Sequence, residues 1–463
     1  MQLETAPPHR VFDPKTPLPT AIGFIKDSFE YMGHLTLRHK GGQFFHWDRV
    51  CYLELEDQTI ISALYRFLHD AKQRGSEKDH LEPFAPTKQK VAEVLAAVRS
   101  ETHLPIDIAS MPCWLGRNRS TQPDPRELIA CSNGLLHLPT LDLLPSTPAF
   151  FSTNALPFPY QPDAPEPVAF RHFLTELWPE DEESIATLQE IFGYLLVPDT
   201  RQQKMFLIVG PKRSGKGTIG RVLRELLGPS NVCGPTLASL STNFGLQPLM
   251  LKQLAIISDA RLSQRSDHQI VVERLLTMSG EDALTVDRKF KDSWTGTLPS
   301  RILILTNELP RIADASGAFA SRFIVLQLTN SFYGREDHAL IGRLLKELPG
   351  ILNWAIAGWQ RLQQRGHFIQ PKAAVETAQQ LDDLGSPIGT FVREQTARGP
   401  GKSVAVDNLF QAYCAWCAER KFPTPRDSQA FGRDLRAAVP GIETKQKRVE
   451  DRVVRYYTGI ALP

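Results

Sequence analysis

Residues 205–228, MFLIVGPKRSGKGTIGRVLRELLG, constrain the chain more than any other stretch. A five-residue apolar run ends directly at Gly210, a short loop holds Gly215 and Lys216, and an amphipathic helical pattern follows at once. A buried strand, a tight glycine turn and a helix N-terminus in this order present unpaired N–H groups to an anion, and Lys216 reaches the terminal phosphates of a nucleoside triphosphate. Gly210, Pro211, Lys212, Arg213, Ser214, Gly215, Lys216, Gly217 and Thr218 are therefore the candidate nucleotide-binding residues of a P-loop, with ATP as the expected ligand and Mg2+ as its companion. The position after the lysine, where such loops carry a metal-binding hydroxyl, holds Gly217. Either Thr218 takes the metal role or magnesium is held through water.

Beyond the loop, short apolar runs alternate with helical patterns (KQLAIISD, SRILILTNE, SRFIVLQL), the signature of buried parallel strands with helical crossovers. The run LAIIS ends at Asp259, placed to hold magnesium and orient attacking water. Ala260 and Arg261 follow it, so no second carboxylate is adjacent, and whether Glu273, Glu281 or Asp282 assists stays open. RILILTN ends at Asn307, which suits either an attacking water or a turn cap. Arg322 precedes the next strand, where a guanidinium can serve as a surface ion-pair partner or as an arginine finger toward a neighbouring subunit's nucleotide. Between these lies SGEDALTVDRKFKDSW, read as a basic hairpin with Arg288, Lys289 and Lys291 around Phe290, suited to phosphate-backbone contact. Lys445, Lys447, Arg448, Arg452 and Arg455, with Tyr456 and Tyr457, form a second basic cluster of similar character.

At 463 residues the chain exceeds one compact core, and about three or four domains are expected. An N-terminal α+β domain with a proline-rich linker (1–158) is expected first, carrying the strand FFHWD and a hairpin turn at Asn133-Gly134. A helical collar (159–200) follows, with an acidic first turn at Glu180 to Glu183. The α/β core (201–345), a helical segment (346–384) and a winged-helix-like end (385–463) complete the order. Positive and negative side chains nearly cancel, 53 against 51, so affinity for nucleic acid must come from local clusters. Six scattered cysteines argue against a disulfide scaffold and for a reducing compartment, and the Cys414/Cys417 pair, lacking further ligands, reads as two small helix residues. No signal-peptide order and no membrane-spanning apolar run is present, so no membrane role and residence in the cytoplasm are expected.

Taken together, GPKRSGKGT, IISDARL, SGEDALTVDRKFK, LTNELPR and SRFIVL resemble the superfamily 3 helicases, and more narrowly the phage and plasmid primase-helicases related to the poxvirus primase-helicase. The likeness covers roughly residues 120 to 460. It implies an AAA+ ATPase of a phage, prophage or plasmid replication system, assembled as a homo-oligomeric, hexameric ring that translocates on DNA in the bacterial host cell. On this chain the resemblance makes Lys216 and Asp259 the phosphate and magnesium residues, Asn307 the sensor, Arg322 the trans-acting finger, and Lys289 with Lys291 the DNA-contacting loop. Residues 1–150 show no convincing paired-carboxylate and His set for nucleotidyl transfer, which leaves priming to a separate primase or polymerase. Two rival readings stand beside this one. A nucleotide kinase would also continue Gly-Lys-Gly-Thr, but leaves the basic hairpin and Arg322 without a role; an ATP-dependent initiator or loader would bind DNA without processive unwinding.

Overall fold

The computed structural model describes residues 10–75, 80–105, 111–116, 122–258, 260, 268–310, 314, 317–420, 422, 424, 427–449 and 452–463. The chain divides into two compact units, residues 1–162 and 163–463.

In the first unit, helix α1 (Pro17–Ser28) precedes an antiparallel sheet of β1 (Leu37–Lys40), β2 (Gln43–Trp47) and β3 (Tyr52–Leu55), in that order. Helix α2 (Asp57–His69) buries Ile60, Leu64, Phe67 and Leu68, and α3 (Lys88–Glu101) buries Val91, Val94, Leu95 and Val98. Both sets recur at three- and four-residue spacing, so each helix presents one apolar stripe. These stripes close with Phe24 and Phe44 into a single core cluster. Strands β4 (Leu128–Cys131), β5 (Gly134–His137) and β6 (Asp142–Leu144) form a meander. Its first turn departs from the sequence expectation. Gly134 pairs with Cys131 inside the ladder, so the loop residues are Ser132 and Asn133. Asn133 is instead a tether: its Nδ2 donates to Tyr160 O at 2.9 Å and its Oδ1 accepts from Tyr160 N at 3.0 Å, which fixes the proline-rich run.

The second unit opens with helices α4 (Val168–Leu177) and α5 (Glu182–Leu196). Asp181 caps α5 by accepting from Ser184 N at 3.0 Å. Glu180, read as part of the acidic first turn, lies outside the helix at φ 60°. Strand β7 (Met205–Val209) then runs into helix α6 (Lys216–Leu227), and β8 (Val232–Cys233) and β9 (Leu254–Ile257) follow. Helix α7 (His268–Ser279), the hairpin β10 (Leu284–Arg288) and β11 (Lys291–Gly296), and strands β12 (Arg301–Thr306) and β13 (Phe323–Gln327) complete the α/β part. The five parallel strands stand in the order β8-β9-β12-β7-β13. Every residue of β7 and of β12 is buried, as strands flanked on both edges and covered on both faces require. Even Arg301, at the start of β12, is enclosed: it donates to Leu195 O at 2.8 Å in the last turn of α5, and burial pushes its pKa down to about 10.

Helix α8 (Leu348–Arg365) packs on α5 with almost no separation, because a Cβ at Gly193 would fall 2.3 Å from Ala355 O and one at Gly358 would fall 2.3 Å from Gln189 O. Beside that contact the carboxylate of Glu190, 2% exposed, is bound by Arg361 Nε at 2.7 Å and by the Arg365 guanidinium. Helix α9 (Val375–Gly385) leads to α10 (Pro387–Gln395), β14 (Ala397–Ala405), α11 (Val406–Arg420), α12 (Ser428–Ala438), β15 (Glu443–Val449) and β16 (Arg452–Ala461). The last three strands form an antiparallel sheet ordered β14-β16-β15. Phe391, Leu409, Tyr413, Trp416, Phe431 and Tyr457 give this region its own core. Cys417 is buried on α11, and among the described residues no group of three or more His, Cys, Asp or Glu is placed to hold a metal ion. No helix among the described residues is long and apolar enough to cross a membrane.

Removing a buried carboxylate strands its cationic partners, so Glu190→Ala is expected to destabilise the second unit by about 2–3 kcal/mol, less than full burial of both arginines would give. Chemical denaturation checks it; a loss well under 1 kcal/mol would show that the Glu190 pairs do not lock α5 to α8.

Candidate functional site

The loop between β7 and α6 sits at the C-terminal end of the parallel sheet. Gly210 leaves β7 with its N–H on Thr306 O at 3.3 Å, and a Cβ there would meet Leu328 O at 2.6 Å, so β12 and the end of β13 clamp the loop's entry. Arg213 (φ 59°) and Gly215 (φ 90°) take left-handed backbone conformations. Such residues among right-handed ones turn successive amides toward one side, the geometry of an anion-binding nest. A side chain at Gly215 would also strike Leu177 Cδ2 at 2.7 Å, because Phe173 and Leu177 of α4 pack behind it. Among the described residues no protein acceptor takes up the amides of Lys212, Arg213, Ser214, Gly215, Lys216 or Gly217. The first paired amides are those of Thr218 and Ile219, both on Gly215 O. The loop and the positive end of the α6 dipole thus face one place with a row of donors.

Lys216 is buried inside this loop. Its Nζ donates to Gly210 O (2.7 Å), Pro211 O (2.7 Å) and Ser214 Oγ (3.0 Å). Those three oxygens match its three N–H bonds, but none carries a charge, and burial lowers its pKa below the ordinary lysine value. Lys212 and Arg213 are exposed beside it, Arg213 Nε lying 3.4 Å from Glu336 Oε1. The arrangement holds cations and amide dipoles in excess of anions, which is what binding a polyphosphate demands.

Asn307 follows Thr306, the residue that accepts the Gly210 amide, so the strand end carrying it is joined directly to the loop. It is exposed there. Asp259, the expected magnesium carboxylate, lies outside the described residues; β9, two residues before it, ends beside β12 at the pair Ile257–Ile304, on the same edge of the sheet. At Gly217 an added Cβ would meet no atom of the described residues within 4 Å, and Thr218 next to it is half-buried. Packing therefore does not explain the glycine in place of a hydroxyl residue.

Arg322 occupies the other end of the sheet. It precedes β13, whose parallel register pairs Phe323 with Met205, so roughly 15 Å of strand at ~3.3 Å per residue separates it from the loop. Its guanidinium binds the Gln203 side chain and Gln203 O, and its carbonyl accepts from Met205 N at 2.7 Å. Gly280 and Glu281 share this end: Gln203 Nε2 reaches Gly280 O at 3.3 Å, and Glu281 accepts from Thr200 Oγ1. Glu281 and its neighbour Asp282, left open as helpers of Asp259, are thereby removed from the loop of their own chain, since they sit at the start of β7 and the loop lies at its end.

The basic hairpin forms as read, with its turn at Lys289-Phe290. Arg288 pairs with Lys291 across the tip, Phe290 (φ 60°) is 95% exposed, and Lys289 Nζ lies 5.2 Å from the Phe290 ring centre. Gln247 Oε1 holds the Lys289 amide at 3.1 Å. An exposed aromatic with one lysine beside it, on a tip that also carries Arg288 and Lys291, has the make-up of a nucleic-acid contact. In the C-terminal sheet Lys445, Lys447, Arg448 and Arg455 stand on β15 and β16, with Lys447 Nζ over Tyr456 at 5.3 Å and Tyr457 buried. The side chain of Arg452 lies outside the described ones.

Sequence reasoning missed residues 330–336, which strap the loop from outside. Ser331 Oγ donates to Lys212 O at 2.8 Å and Phe332 N to Arg213 O at 2.9 Å, while Asn330 Nδ2 reaches Glu176 O on α4 at 3.3 Å. Their signal was a polar turn, TNSFYG, directly after an apolar strand, which is also how an ordinary surface turn reads.

Residues 25–179 match a family described as "D5 N terminal like", and residues 208–322 match a family of unknown function, DUF5906. Among solved structures the chain is similar to the C-terminal region of NrS-1. The A form of its apo structure gives a TM-score of 0.53 at 12% identity, covering 96% of this chain and 99% of that one. A second apo structure, of residues 305–718, gives 0.51 at 12% identity with the same coverage. At that identity the likeness speaks for the fold, a mixed α/β architecture around a five-stranded parallel sheet.

Because a Cβ at Gly217 meets no described residue and the position lies within a helix, Gly217→Ala is expected to stabilise the chain by about 0.5 kcal/mol, through lower entropy of the unfolded state. A lower melting temperature for that variant would mean that the backbone or the packing there needs the glycine.

Proposed function

We propose that the chain is an ATP-driven DNA helicase or translocase of a phage, prophage or plasmid replication system, with a superfamily 3 P-loop core acting as a ring. The observation that carries this reading is the row of six amides that have no acceptor among the described residues, around buried Lys216, which has no described carboxylate beside it, at the C-terminal end of a parallel sheet. The D5 N terminal like match and the likeness to the NrS-1 C-terminal region support the replication context.

In this reading the amides of residues 212–217 and the Lys216 ammonium bind the β- and γ-phosphates of ATP and stabilise the charge that spreads over the transferring phosphoryl group. Magnesium arriving with the nucleotide would supply positive charge against the phosphate oxygens. Thr218 and Asp259 are the residues assigned to it, and open space at Gly217 leaves room for water on that side. Asn307 orients the attacking water from the adjoining strand end. Arg322, at the opposite end of β13, can act only on the nucleotide of a neighbouring copy, so this reading needs an oligomer, a hexameric ring in the proposal. Lys289 and Lys291 carry the hydrolysis-driven motion to DNA through the hairpin tip, next to exposed Phe290.

Lys216→Ala should lower DNA-stimulated ATP hydrolysis by about a hundredfold or more; a rate equal to that of the wild type would remove the loop from catalysis. Replacing both Lys289 and Lys291 by Ala should leave basal ATP hydrolysis standing, abolish strand separation, and reduce the salt slope of single-stranded DNA affinity by about 1.4, at ~0.7 per lost phosphate contact. Unwinding and salt slope both unchanged would exclude the hairpin as the DNA contact.

A further inference from the structure

Tyr333 is 78% exposed although the turn that carries it is held by several hydrogen bonds. Phe332, its neighbour, donates its amide to Arg213 O at 2.9 Å, and Ser331 Oγ binds Lys212 O at 2.8 Å. The turn is closed from the far side by Arg335 N on Phe332 O at 2.8 Å, by Gly334 at φ 77°, and by the Arg213–Glu336 ion pair. Asn330 ties its first residue to α4. The backbone that carries this aromatic side chain is thus held one residue from a contact with the 210–218 loop, while most of the ring's surface is in water. Exposed rings of this size cover little unless something stacks on them, and a tyrosine ring offers an apolar face without requiring a specific hydrogen-bond pattern.

We propose that Tyr333 is the stacking platform for the base of the nucleotide whose phosphates the 210–218 loop holds; the proposal rests on that loop being the phosphate site. Two parts of the nucleotide are then read by two physically linked segments. The loop amides and Lys216 bind the triphosphate, and the strap that follows β13 supports the base. Because every nucleobase has a π face, the contact adds affinity while discriminating little among bases. The strap bonds Lys212 O and Arg213 O, so seating a base on Tyr333 also steadies the loop that grips the phosphates.

The test compares binding of ATP and of inorganic tripolyphosphate, each as its magnesium salt, to the full chain as wild type, Tyr333→Ala and Tyr333→Phe, by calorimetric titration. Tyr333→Ala should weaken ATP about tenfold and leave tripolyphosphate within about twofold, and Tyr333→Phe should retain wild-type ATP affinity. Unchanged ATP affinity in Tyr333→Ala, or an equal loss for both ligands, would overturn the stacking role while leaving the loop as the phosphate site. A wild-type chain that binds neither ligand would defeat the loop reading and the stacking role with it.

Discussion

Several elements of the second unit close around a buried positive charge that has no negative partner among the described residues. Lys216 Nζ is satisfied in hydrogen bonds by three neutral oxygens of its own loop, no described carboxylate balances its charge, and burial lowers its pKa. Holding a cation this way is costly unless an anion completes the site. The surroundings keep it in place. Leu328 at the end of β13 closes on Gly210, Phe173 and Leu177 close on Gly215, and the strap at 331–336 fixes Lys212 and Arg213. Each contact comes from a different element, so the collar, the central strands and the segment leaving the sheet all converge on one short loop.

Parallel strand direction then distributes the remaining chemistry. Strands that end near the loop bring the residue that follows them there: β7 brings Gly210 and β12 brings Asn307. Every residue that precedes a strand is carried to the far edge, as Arg322 and the Gly280–Asp282 turn are. A single chain therefore holds the Lys216 loop and the Arg322 guanidinium at opposite ends of a strand. In the proposed mechanism a second copy brings them together, so that mechanism and the proposed oligomer stand or fall together.

Much of this was legible in the sequence, because the strongest signals were local. The apolar run before Gly210, the amphipathic repeat after Lys216 and the alternation of LTVDRKFKDSW are all set by neighbours in sequence, and β7, α6 and the basic hairpin form where those patterns place them. What could not be read was set by contacts distant in the chain. Asn133 does sit in the turn, but the bonds of its side chain to Tyr160 had no local sign; Glu281 looked available to the loop, but strand direction takes it away; Ser331 and Phe332 gave no local sign of bonding Lys212 and Arg213. Gly217 is the reverse case, since its sequence position raised a question about magnesium and the space around it shows that packing does not answer that question.

The most direct measurement of the central claim is a structure of the full chain with a non-hydrolysable ATP analogue and magnesium. The account requires the terminal phosphates within hydrogen-bond distance of Lys216 Nζ and of amides from residues 212–217, with Arg322 of a neighbouring copy facing them. An analogue bound elsewhere, or a loop that leaves Lys216 on its own carbonyls while nucleotide is present, would contradict it.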